Sequence, residues 1–315
     1  MVTSALANIA ILDDYQGVAL DMADWSPLDG RAKITVFRDH LMDADRIVER
    51  LTPFDVVCVM RERTPLSRAI IERLPRLKLI ASTGAGNASI DLDAATERGI
   101  KVANTGYSST PTIEMTWALI LAMTRNIPLE NQSLREGGWQ TALGSQLSGK
   151  TLGLLGLGHI GSAVGVIGRA FRMNVIAWSE NLTIERAESK GVQRVEKNEL
   201  FKSSDFLSIH LRLSDRTRSM VGAPELAQMK PTSRLINTSR GPIVDTAALI
   251  HAIQSGQIAG AAMDVYDAEP LAPNDQLRTL KNVLATPHIG YVTREMYQTF
   301  YGDTVRNIVD WLDGR

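Results

Sequence analysis

Three side chains in the second half of the chain have the types and positions needed for acid–base chemistry on an anionic compound. Arg240, Glu269 and His288 each lie in a loop directly after an apolar, strand-like run. Open α/β sheets bind ligands at the carboxyl ends of their strands, so these loops are expected to share one edge of a sheet. A guanidinium offers a charged, planar fork to a carboxylate, and an imidazole gives or takes a proton near neutral pH. A carboxylate such as Glu269 can orient the imidazole through its second nitrogen and favour the protonated ring.

Taken singly, each of the three also has an ordinary structural interpretation. Arg240 could be a surface arginine that ends a strand. Glu269, before a proline, could be a turn carboxylate, and His288, after a proline, could be a turn histidine. The order and spacing of the neighbouring motifs must therefore decide between structure and chemistry.

A glycine-rich loop indicates a second kind of chemistry, the binding of a dinucleotide. Gly156, Gly158 and Gly161 have GxGxxG spacing and follow the apolar run at 151–155. The first glycine permits a tight turn, the second lets the backbone approach the phosphates, and the third lets the next helix pack close to the strand. The amides and dipole of that helix then face the anion. Helical spacing after the loop favours this interpretation over a glycine turn without a ligand.

Composition excludes several other classes of function. With 315 residues, 44% of them hydrophobic and 22% charged, the chain can form two ordinary cores. A net charge of −1 gives no electrostatic reason to bind nucleic acid or an anionic membrane. The single cysteine, Cys58, excludes a disulfide framework and a cysteine-based metal site. No metal is therefore predicted. No apolar run has transmembrane length and residues 1–10 lack the basic start of a signal peptide, so we also predict no membrane association and a cytoplasmic location.

Alternating strand and helix patterns predict the elements that position these residues. In the first half, strands are predicted at 8–12, 33–37, 55–59, 78–81 and 100–103, with helices at 43–51, 67–74 and 91–98. Residues 112–126 predict one long apolar helix with Pro128 just past its end. Repeated βα units predict parallel, doubly wound sheets.

The second half repeats this alternation after a polar, glycine-containing segment. Strands are predicted at 151–155, 174–178, 206–210, 234–237, 258–264 and 283–285, and helices at 160–171, 183–190, 224–229 and 245–255. A last amphipathic helix is predicted at about 293–312. Since the second sheet then has its six strands, this helix is expected to return to the first domain.

In their order and spacing, these motifs resemble those of the D-isomer-specific 2-hydroxyacid dehydrogenase family. The glycine loop looks like its dinucleotide loop, and the segments around Arg240, Glu269 and His288 look like the three that carry its catalytic residues. The resemblance implies an α/β fold of two doubly wound parallel-sheet domains. These would be a flavodoxin-like substrate domain, residues 1–104 and 291–315, and a Rossmann NAD(P)-binding domain, residues 105–290.

The resemblance also implies the reaction. The chain would be an NAD(P)-dependent oxidoreductase that transfers a hydride between nicotinamide and a small D-2-hydroxy or 2-oxo acid. Arg240 would bind the carboxylate and keto oxygen, His288 would donate or accept the proton, and Glu269 would orient His288. A carboxylate loop in the other domain would bind the substrate as well. The implied substrate-binding set is Arg61, Thr83, Gly84, Ala85, Gly86 and Arg240.

Arg61 and Arg63 follow the third strand and could both reach an anionic substrate, although a solvated surface position suits each of them equally. Asp264 ends a strand and resembles the family's aspartate that bonds the nicotinamide amide. The implied cofactor-binding set is Thr116, Gly156, Gly158, His159, Ile160, Gly161, Ser179, Glu180, His210, Thr217, Thr238, Asp264, His288 and Gly290.

One position departs from the usual NAD pattern. Where many family members carry an aspartate that bonds the ribose, this chain has Ser179, followed by Glu180. Serine does not repel a 2′-phosphate, which leaves NADP open, but no Arg or Lys stands beside it; the nearest downstream is Arg186. Because Glu180 could restore the acidic contact, NAD is the preferred cofactor and NADP is not excluded.

Two further functions remain open for this pattern. One is an NAD(H)-sensing interaction protein like the C-terminal-binding co-repressors, which share the fold and retain a similar triad. The other is formate dehydrogenase chemistry, against which the pairing of histidine with glutamate rather than glutamine argues. The resemblance also implies a homodimer, for which the apolar helix at 112–126 and the Gly137-Gly138-Trp139 stretch are candidate interface segments.

Overall fold

A computed structural model describes residues 6–315, so the first half of segment 1–10, on which the signal-peptide prediction depends, lies outside the described residues. The described chain forms two compact units. One is Ser109–Tyr291, and the other consists of the residues before and after it. None of the helices within residues 6–315 combines the length and the apolar character needed to cross a membrane.

The first unit is built on one parallel sheet. Its strands are β1 (Ala7–Ile11), β2 (Ala32–Val36), β3 (Val56–Val59), β4 (Leu79–Ser82) and β5 (Lys101–Asn104). Its helices are α1 (Ala44–Leu51), α2 (Arg68–Ile71), α3 (Leu92–Glu97) and α11 (Arg294–Leu312). The strand order is β2-β1-β3-β4-β5, and every pair is parallel.

Burial explains why the central strands read as continuous apolar runs. All four residues of β3 and of β4 are buried, because helices cover both faces of a parallel sheet. Cys58 lies within β3 with 5% of its surface exposed, and burial raises the pKa of its thiol to about 12. Aspartates cap two of the helices: Asp43 accepts a hydrogen bond from the amide of Arg46, and Asp91 from that of Ala94.

The second unit is built on a larger parallel sheet. Its strands are β6 (Thr151–Leu155), β7 (Asn174–Trp178), β8 (Gln193–Arg194), β9 (Phe206–Ile209), β10 (Arg234–Asn237), β11 (Gly260–Met263) and β12 (Val283–Ala285). Its helices are α4 (Thr110–Thr124), α5 (Ile127–Arg135), α6 (His159–Ala170), α7 (Ile184–Glu188), α8 (Lys197–Ser203), α9 (Ala223–Leu226) and α10 (Thr246–Gln254). The strand order is β12-β11-β10-β9-β6-β7-β8.

The predicted fold class, two parallel doubly wound α/β sheets, is confirmed, with differences in the elements of the second unit. The helix predicted at 112–126 ends at Thr124, and α5 follows it, starting at Ile127-Pro128 after Asn126 in a left-handed conformation (φ +51°). Pro128 therefore does not mark the end of a helical region, because proline is well tolerated in the first turn of a new helix. The predicted six-stranded sheet has seven strands, because the two-residue β8 pairs with the edge of β7.

Candidate active site

The glycine loop between β6 and α6 has the conformation that its sequence predicts. Gly156 has φ +105°, and a Cβ there would lie 2.7 Å from the carbonyl oxygen of His210. A Cβ on Gly161 would lie 2.2 Å from the carbonyl oxygen of Gly156. Both positions therefore require glycine for the fold itself, one for its backbone conformation and the other for close packing of the helix.

Gly158 differs from the other two glycines. Its φ of −78° is open to any residue, and a Cβ there would meet no protein atom within 4 Å. It is exposed at the N-terminus of α6, beside His159, where helix amides and the dipole favour an anion. Space that a Cβ would fill, next to these amides, fits the close approach of a dinucleotide pyrophosphate.

His210 follows β9 and packs against the glycine loop, with its carbonyl oxygen close to Gly156. Its Nε2 lies 2.9 Å from Ser208 Oγ, and burial lowers the pKa of the ring to about 4. The imidazole is therefore neutral near pH 7 and adds no charge beside the predicted phosphate position. Thr217 lies farther along the same loop, where its hydroxyl donates to the carbonyl of Arg212 at 2.7 Å.

Strand β7 ends beside the predicted ribose-binding residues. Ser179 follows it directly and is half-buried, whereas Glu180 is exposed. The pairing of β8 with β7 brings Arg194 to this turn, where its Nε donates to the carbonyl of Leu182 at 2.9 Å and its Nη1 to Glu196 at 2.7 Å. Linear spacing gave no signal for this arginine, because β8 is only two residues long.

Two predicted cofactor contacts that are far apart in sequence meet. Thr116 of α4 and Thr238, just after β10, are both buried, and their hydroxyl oxygens lie 2.9 Å apart. Thr116 also donates to the carbonyl of Thr112 within its helix. The pair thus links the first long helix of this unit to the segment that leads to Arg240.

His288 and Glu269 form a close pair. The Nδ1 of His288 lies 2.5 Å from Glu269 Oε2, with 24% of the histidine side chain and 30% of the glutamate side chain exposed. The other oxygen of Glu269 accepts a hydrogen bond from the amide of Tyr266 at 2.8 Å. Glu269 is thus held at one oxygen and orients the imidazole with the other, as the sequence predicts.

The turn that carries His288 is held by Asp264. His288 has φ +50°, and the Asp264 carboxylate accepts bonds from Thr286 Oγ1 at 2.6 Å, Ile289 N at 2.9 Å and Gly290 N at 2.7 Å. Only 1% of Asp264 is exposed, and burial raises the pKa of its carboxyl. The predicted cofactor contacts Asp264 and Gly290 are therefore in contact with each other, and these bonds fix the histidine turn.

Tyr266 is a part of this site that the sequence did not reveal. Its hydroxyl lies 3.0 Å from the carbonyl of Met263 and 2.9 Å from that of Thr286, so it can donate to either. Burial raises the pKa of this phenol, so it stays protonated as a donor. A tyrosine between an aspartate and a glutamate has no sequence signature that separates such a role from ordinary core packing.

Arg240 lies in a turn that packs against the Glu269 segment. Its Nη1 donates to the carbonyl of Ser239 at 2.7 Å, and its own carbonyl accepts from Asn237 Nδ2 at 2.9 Å. A Cβ on the next residue, Gly241, would lie 2.1 Å from the carbonyl carbon of Tyr266. Glycine therefore permits the close approach of the arginine turn to the segment that holds Glu269.

In the first unit, the predicted carboxylate loop follows β4. Thr83 and Gly84 are buried, and the amide of Gly84 donates to Thr105 Oγ1 at 2.7 Å. Ala85 and Gly86 are exposed, and within residues 6–315 their amides donate no hydrogen bond. The amides of Ala85 and Gly86, rather than that of Gly84, are thus the donors available to an anion.

The two arginines after β3 have different surroundings. Arg61 has φ +53°, and a Cβ on Gly84 would lie 1.7 Å from its Nη1, so its guanidinium lies directly on the carboxylate loop. Arg63 instead donates to the carbonyl of Asp13 at 2.7 Å. Sequence spacing could not separate the two. Within residues 6–315, no group of three or more His, Cys, Asp or Glu side chains is arranged to hold a metal ion.

Comparison with known proteins is consistent with this geometry. Residues 117–290 match the family model described as D-isomer specific 2-hydroxyacid dehydrogenase, NAD binding domain. The chain is 41% identical over 256 residues to a glyoxylate reductase of Aeropyrum pernix, covering 78% of this chain and 76% of the relative. It is 38% identical over 283 residues to a hydroxypyruvate reductase of Thermotoga maritima, covering 88% and 90%.

A D-3-phosphoglycerate dehydrogenase of Methanocaldococcus jannaschii is 41% identical over 255 residues, which cover 80% of this chain but only 48% of the relative. Among solved structures, a phosphoglycerate oxidoreductase of Vibrio cholerae has a TM-score of 0.93 at 38% identity, covering 98% of this chain and 100% of that one. A D-lactate dehydrogenase of Aquifex aeolicus, in complex with NAD and lactic acid, has a TM-score of 0.77 at 26% identity, covering 98% and 96%.

Proposed function

We propose, from the premise that this chain belongs to the D-isomer-specific 2-hydroxyacid dehydrogenase family, that it interconverts a small D-2-hydroxy acid and its 2-oxo acid with NAD. The family makes the chain an oxidoreductase that acts on a CH–OH group with a nicotinamide cofactor. The 2.5 Å contact between His288 Nδ1 and Glu269 Oε2 is the observation that carries the proposal, because it prepares the imidazole for proton transfer at Nε2.

The proton balance follows from this pair. When bound, the cofactor supplies the hydride that adds to the keto carbon. His288, protonated before the reaction, gives the proton at Nε2 to the keto oxygen, which becomes the hydroxyl. Glu269 stabilises the imidazolium before this transfer and keeps the ring oriented afterwards. In the oxidation direction, the neutral ring takes the hydroxyl proton back.

Arg240 is proposed to bind the carboxylate and to polarise the keto oxygen. The residue after it, Gly241, packs against the Tyr266 backbone, and the amide of Tyr266 donates to Glu269, so the arginine turn adjoins the segment that holds the acid–base pair. Positive charge aimed at an oxygen that gains negative charge during reduction lowers the barrier. The bond from Arg240 Nη1 to the carbonyl of the neighbouring Ser239, at 2.7 Å, restricts the orientation of the guanidinium.

The first unit is proposed to contribute anion-binding groups of its own. The exposed amides of Ala85 and Gly86 are proposed to donate to a carboxylate, and the Arg61 guanidinium lies against the same loop with 15% of its side chain exposed. A guanidinium on this loop favours substrates with a further negative or hydroxyl group over pyruvate. Thr83 and Gly84 are proposed to shape this loop.

NAD is proposed over NADP because the charge at the end of β7 opposes a 2′-phosphate. Glu180 is exposed beside Ser179, and Arg194, the cation that reaches this turn, pairs with Glu196. A 2′-phosphate there would be repelled by the negative charge of Glu180, and Arg194 is already paired with Glu196. The cytoplasmic location stays a prediction of the sequence.

A homodimer is proposed from an exposed apolar surface on α5 and the segment after it. Five large apolar side chains in this stretch are at least half exposed: Ile127, Leu129, Leu134, Trp139 and Leu143. The carboxylate of Glu130 accepts hydrogen bonds from the amides of Thr141 and Ala142, and these bonds attach the segment after α5 to the helix. Exposed large apolar side chains that are grouped in one segment in this way favour a protein–protein interface.

A panel of 2-oxo acids with NADH and with NADPH tests the proposal. In a panel of glyoxylate, pyruvate, hydroxypyruvate and phosphohydroxypyruvate, the last two are expected to oxidise NADH with a higher kcat/KM than pyruvate does, and NADPH is expected to be the poorer cofactor. A protein that binds NADH but oxidises it with none of these acids would overturn the enzymatic proposal and favour an NAD(H)-sensing protein. A higher kcat/KM with NADPH would overturn the role of Glu180.

A further inference from the structure

A cluster of polar side chains lies in the first unit at the point between β1 and β3 where the strand order reverses. The order β2-β1-β3-β4-β5 puts β2 on one side of β1 and the later strands on the other, and open sheets of this order form a crevice after β1 and β3. In this chain, side chains occupy that position. Asp13 contacts both Thr64 and His40 there, with 1% of Asp13, 4% of Thr64 and 8% of the His40 side chain exposed.

Asp13 is the centre of this cluster. Its Oδ1 lies 2.8 Å from His40 Nδ1, and its Oδ2 accepts a hydrogen bond from Thr64 Oγ1 at 2.6 Å. Its main-chain carbonyl accepts a third bond, from Arg63 Nη1 at 2.7 Å. These contacts join the loop after β1 to the loops after β2 and β3. Asp13 has φ +58°, a left-handed conformation that aspartate adopts more readily than most residues.

The segment after β3 is therefore held from two sides. Arg63 and Thr64 bond to Asp13, whereas Arg61 faces the opposite neighbour, β4. The amide of Arg61 donates to Thr83 Oγ1 at 2.8 Å, and its carbonyl accepts from Asn87 Nδ2 at 2.6 Å. Its φ of +53° is unusual for arginine, so this conformation depends on the bonds to Asp13 on one side and on the bonds to Thr83 and Asn87 on the other.

We propose that Asp13 is a positioning residue for substrate binding, which acts by holding the segment after β3 so that the Arg61 guanidinium stays on the carboxylate loop. The inference rests on the proposed function, in which Arg61 and residues 83–86 bind the substrate. A long, flexible arginine that is held before the ligand arrives loses less conformational entropy on binding. Loss of the Asp13 contacts lets this segment relax and weakens substrate binding without touching the acid–base pair.

Asp13→Asn is the primary test. Asparagine keeps the size and tolerates the left-handed conformation, but its NH₂ group replaces one acceptor oxygen, so Thr64 or His40 loses a partner. We expect the KM for the best 2-oxo acid to rise about tenfold, the effect of one lost buried hydrogen bond, while kcat stays within about threefold. The Kd for NADH, which is proposed to bind the other unit, is expected to stay unchanged.

Asp39→Asn is the matched control. Asp39 lies in the neighbouring loop, pairs with Arg50 at 2.6 Å and has 60% of its side chain exposed. Its substitution is expected to leave KM unchanged. A second pair of variants gives an independent reading if Asp13→Asn fails to fold. Thr64→Val removes the hydroxyl donor and should raise KM, whereas Thr64→Ser keeps the donor and should preserve the wild-type KM.

A double-mutant comparison separates positioning from a general loss of structure. In an Arg61→Ala background, Asp13→Asn is expected to have no further effect on KM, because the group it positions is gone. Full, independent effects of the two substitutions would overturn the inference. It is also overturned if Asp13→Asn and Thr64→Val lower the Tm but leave KM at the wild-type value. A wild-type protein that reduces no 2-oxo acid would instead overturn the proposed function.

Discussion

His288, Arg61 and Asp13 share a backbone conformation that few side chains adopt. Their φ angles are +50°, +53° and +58°, and each lies in a loop at the carboxyl end of a strand. Such conformations cost of order 1–3 kcal/mol apiece and persist only where surrounding contacts enforce them. The contacts are visible for each: Asp264 for the His288 turn, Thr83 and Asn87 for Arg61, and Arg63 for Asp13.

The left-handed φ decides which substitution isolates the chemistry of His288. His288→Asn tolerates that φ and removes the proton donor, so we expect turnover to fall about 10²- to 10⁴-fold while the Tm and the Kd for NADH change little. His288→Ala should lose as much turnover and also lower the Tm. His251→Asn, at an exposed position on α10, is the control, and near wild-type turnover in His288→Asn would refute the proton-donor role.

His210 should make stability depend on pH. Burial lowers the pKa of its ring to about 4, below the usual 6.5, so the unfolded chain binds a proton that the folded chain does not. Stability is therefore expected to fall as pH drops from about 6.5 to about 4, by roughly 3 kcal/mol from this residue. His210→Gln should show a smaller decrease in Tm between pH 7 and pH 4.5 than wild type. His251→Gln serves as the exposed control, and an equal decrease in all three proteins would contradict the assignment.

At the scale of elements, the strands bring together residues that are remote in sequence. The order β9, β10, β11, β12 places the loops that follow these strands side by side, and those loops carry His210, Arg240, Glu269 and His288. Helix α6 sits close to the sheet because it presents glycines to it. A Cβ on Gly165 would lie 3.1 Å from Leu154 Cδ1, and one on Gly168 would lie 2.8 Å from Leu152 Cδ2.

Two glycines separate cofactor binding from substrate binding at this scale. Neither Gly158 nor Gly86 has a protein atom within 4 Å of a built Cβ, so alanine at either position should leave the Tm unchanged. Gly158→Ala is expected to raise the Kd for NADH at least about tenfold by blocking phosphate approach. Gly86→Ala is expected to raise the substrate KM and to leave the Kd for NADH alone. Wild-type NADH affinity in Gly158→Ala would show that the pyrophosphate does not lie there.

Elements that contain an apolar run were predictable from sequence, and short, largely polar ones were not. The strands that became β6 and β7 were predicted at their observed bounds, because apolar runs between turn signals leave few alternatives. Strand β8 and helix α8 were missed, since two residues and seven largely polar residues carry little periodicity. Arg194 and Tyr266 were missed for a related reason: their neighbours are set by strand pairing and by turns, which residue types do not encode.

At the scale of the whole molecule, the surface around α5 is expected to control assembly. Trp139 is 76% exposed and Leu143 is 98% exposed, and both lie in the segment that Glu130 holds in place. The double substitution Trp139→Glu with Leu143→Glu is expected to convert a dimer to a monomer, measured by light scattering during gel filtration. Leu92→Glu, at a position 56% exposed in the first unit, is the control. A wild-type protein that is already monomeric would refute the dimer.

Cys58 makes the protein a convenient object for labelling. It is the sole cysteine of the chain, lies 5% exposed within β3 and has a thiol pKa of about 12. The thiolate is the form that reacts with thiol reagents, so the native thiol is expected to remain unmodified until β3 opens. The rate at which Cys58 is modified therefore measures how often the first unit opens, independently of the second unit. A cysteine introduced at the surface would be the fast-reacting thiol, so a fluorophore or spin label could be attached without removing the native one.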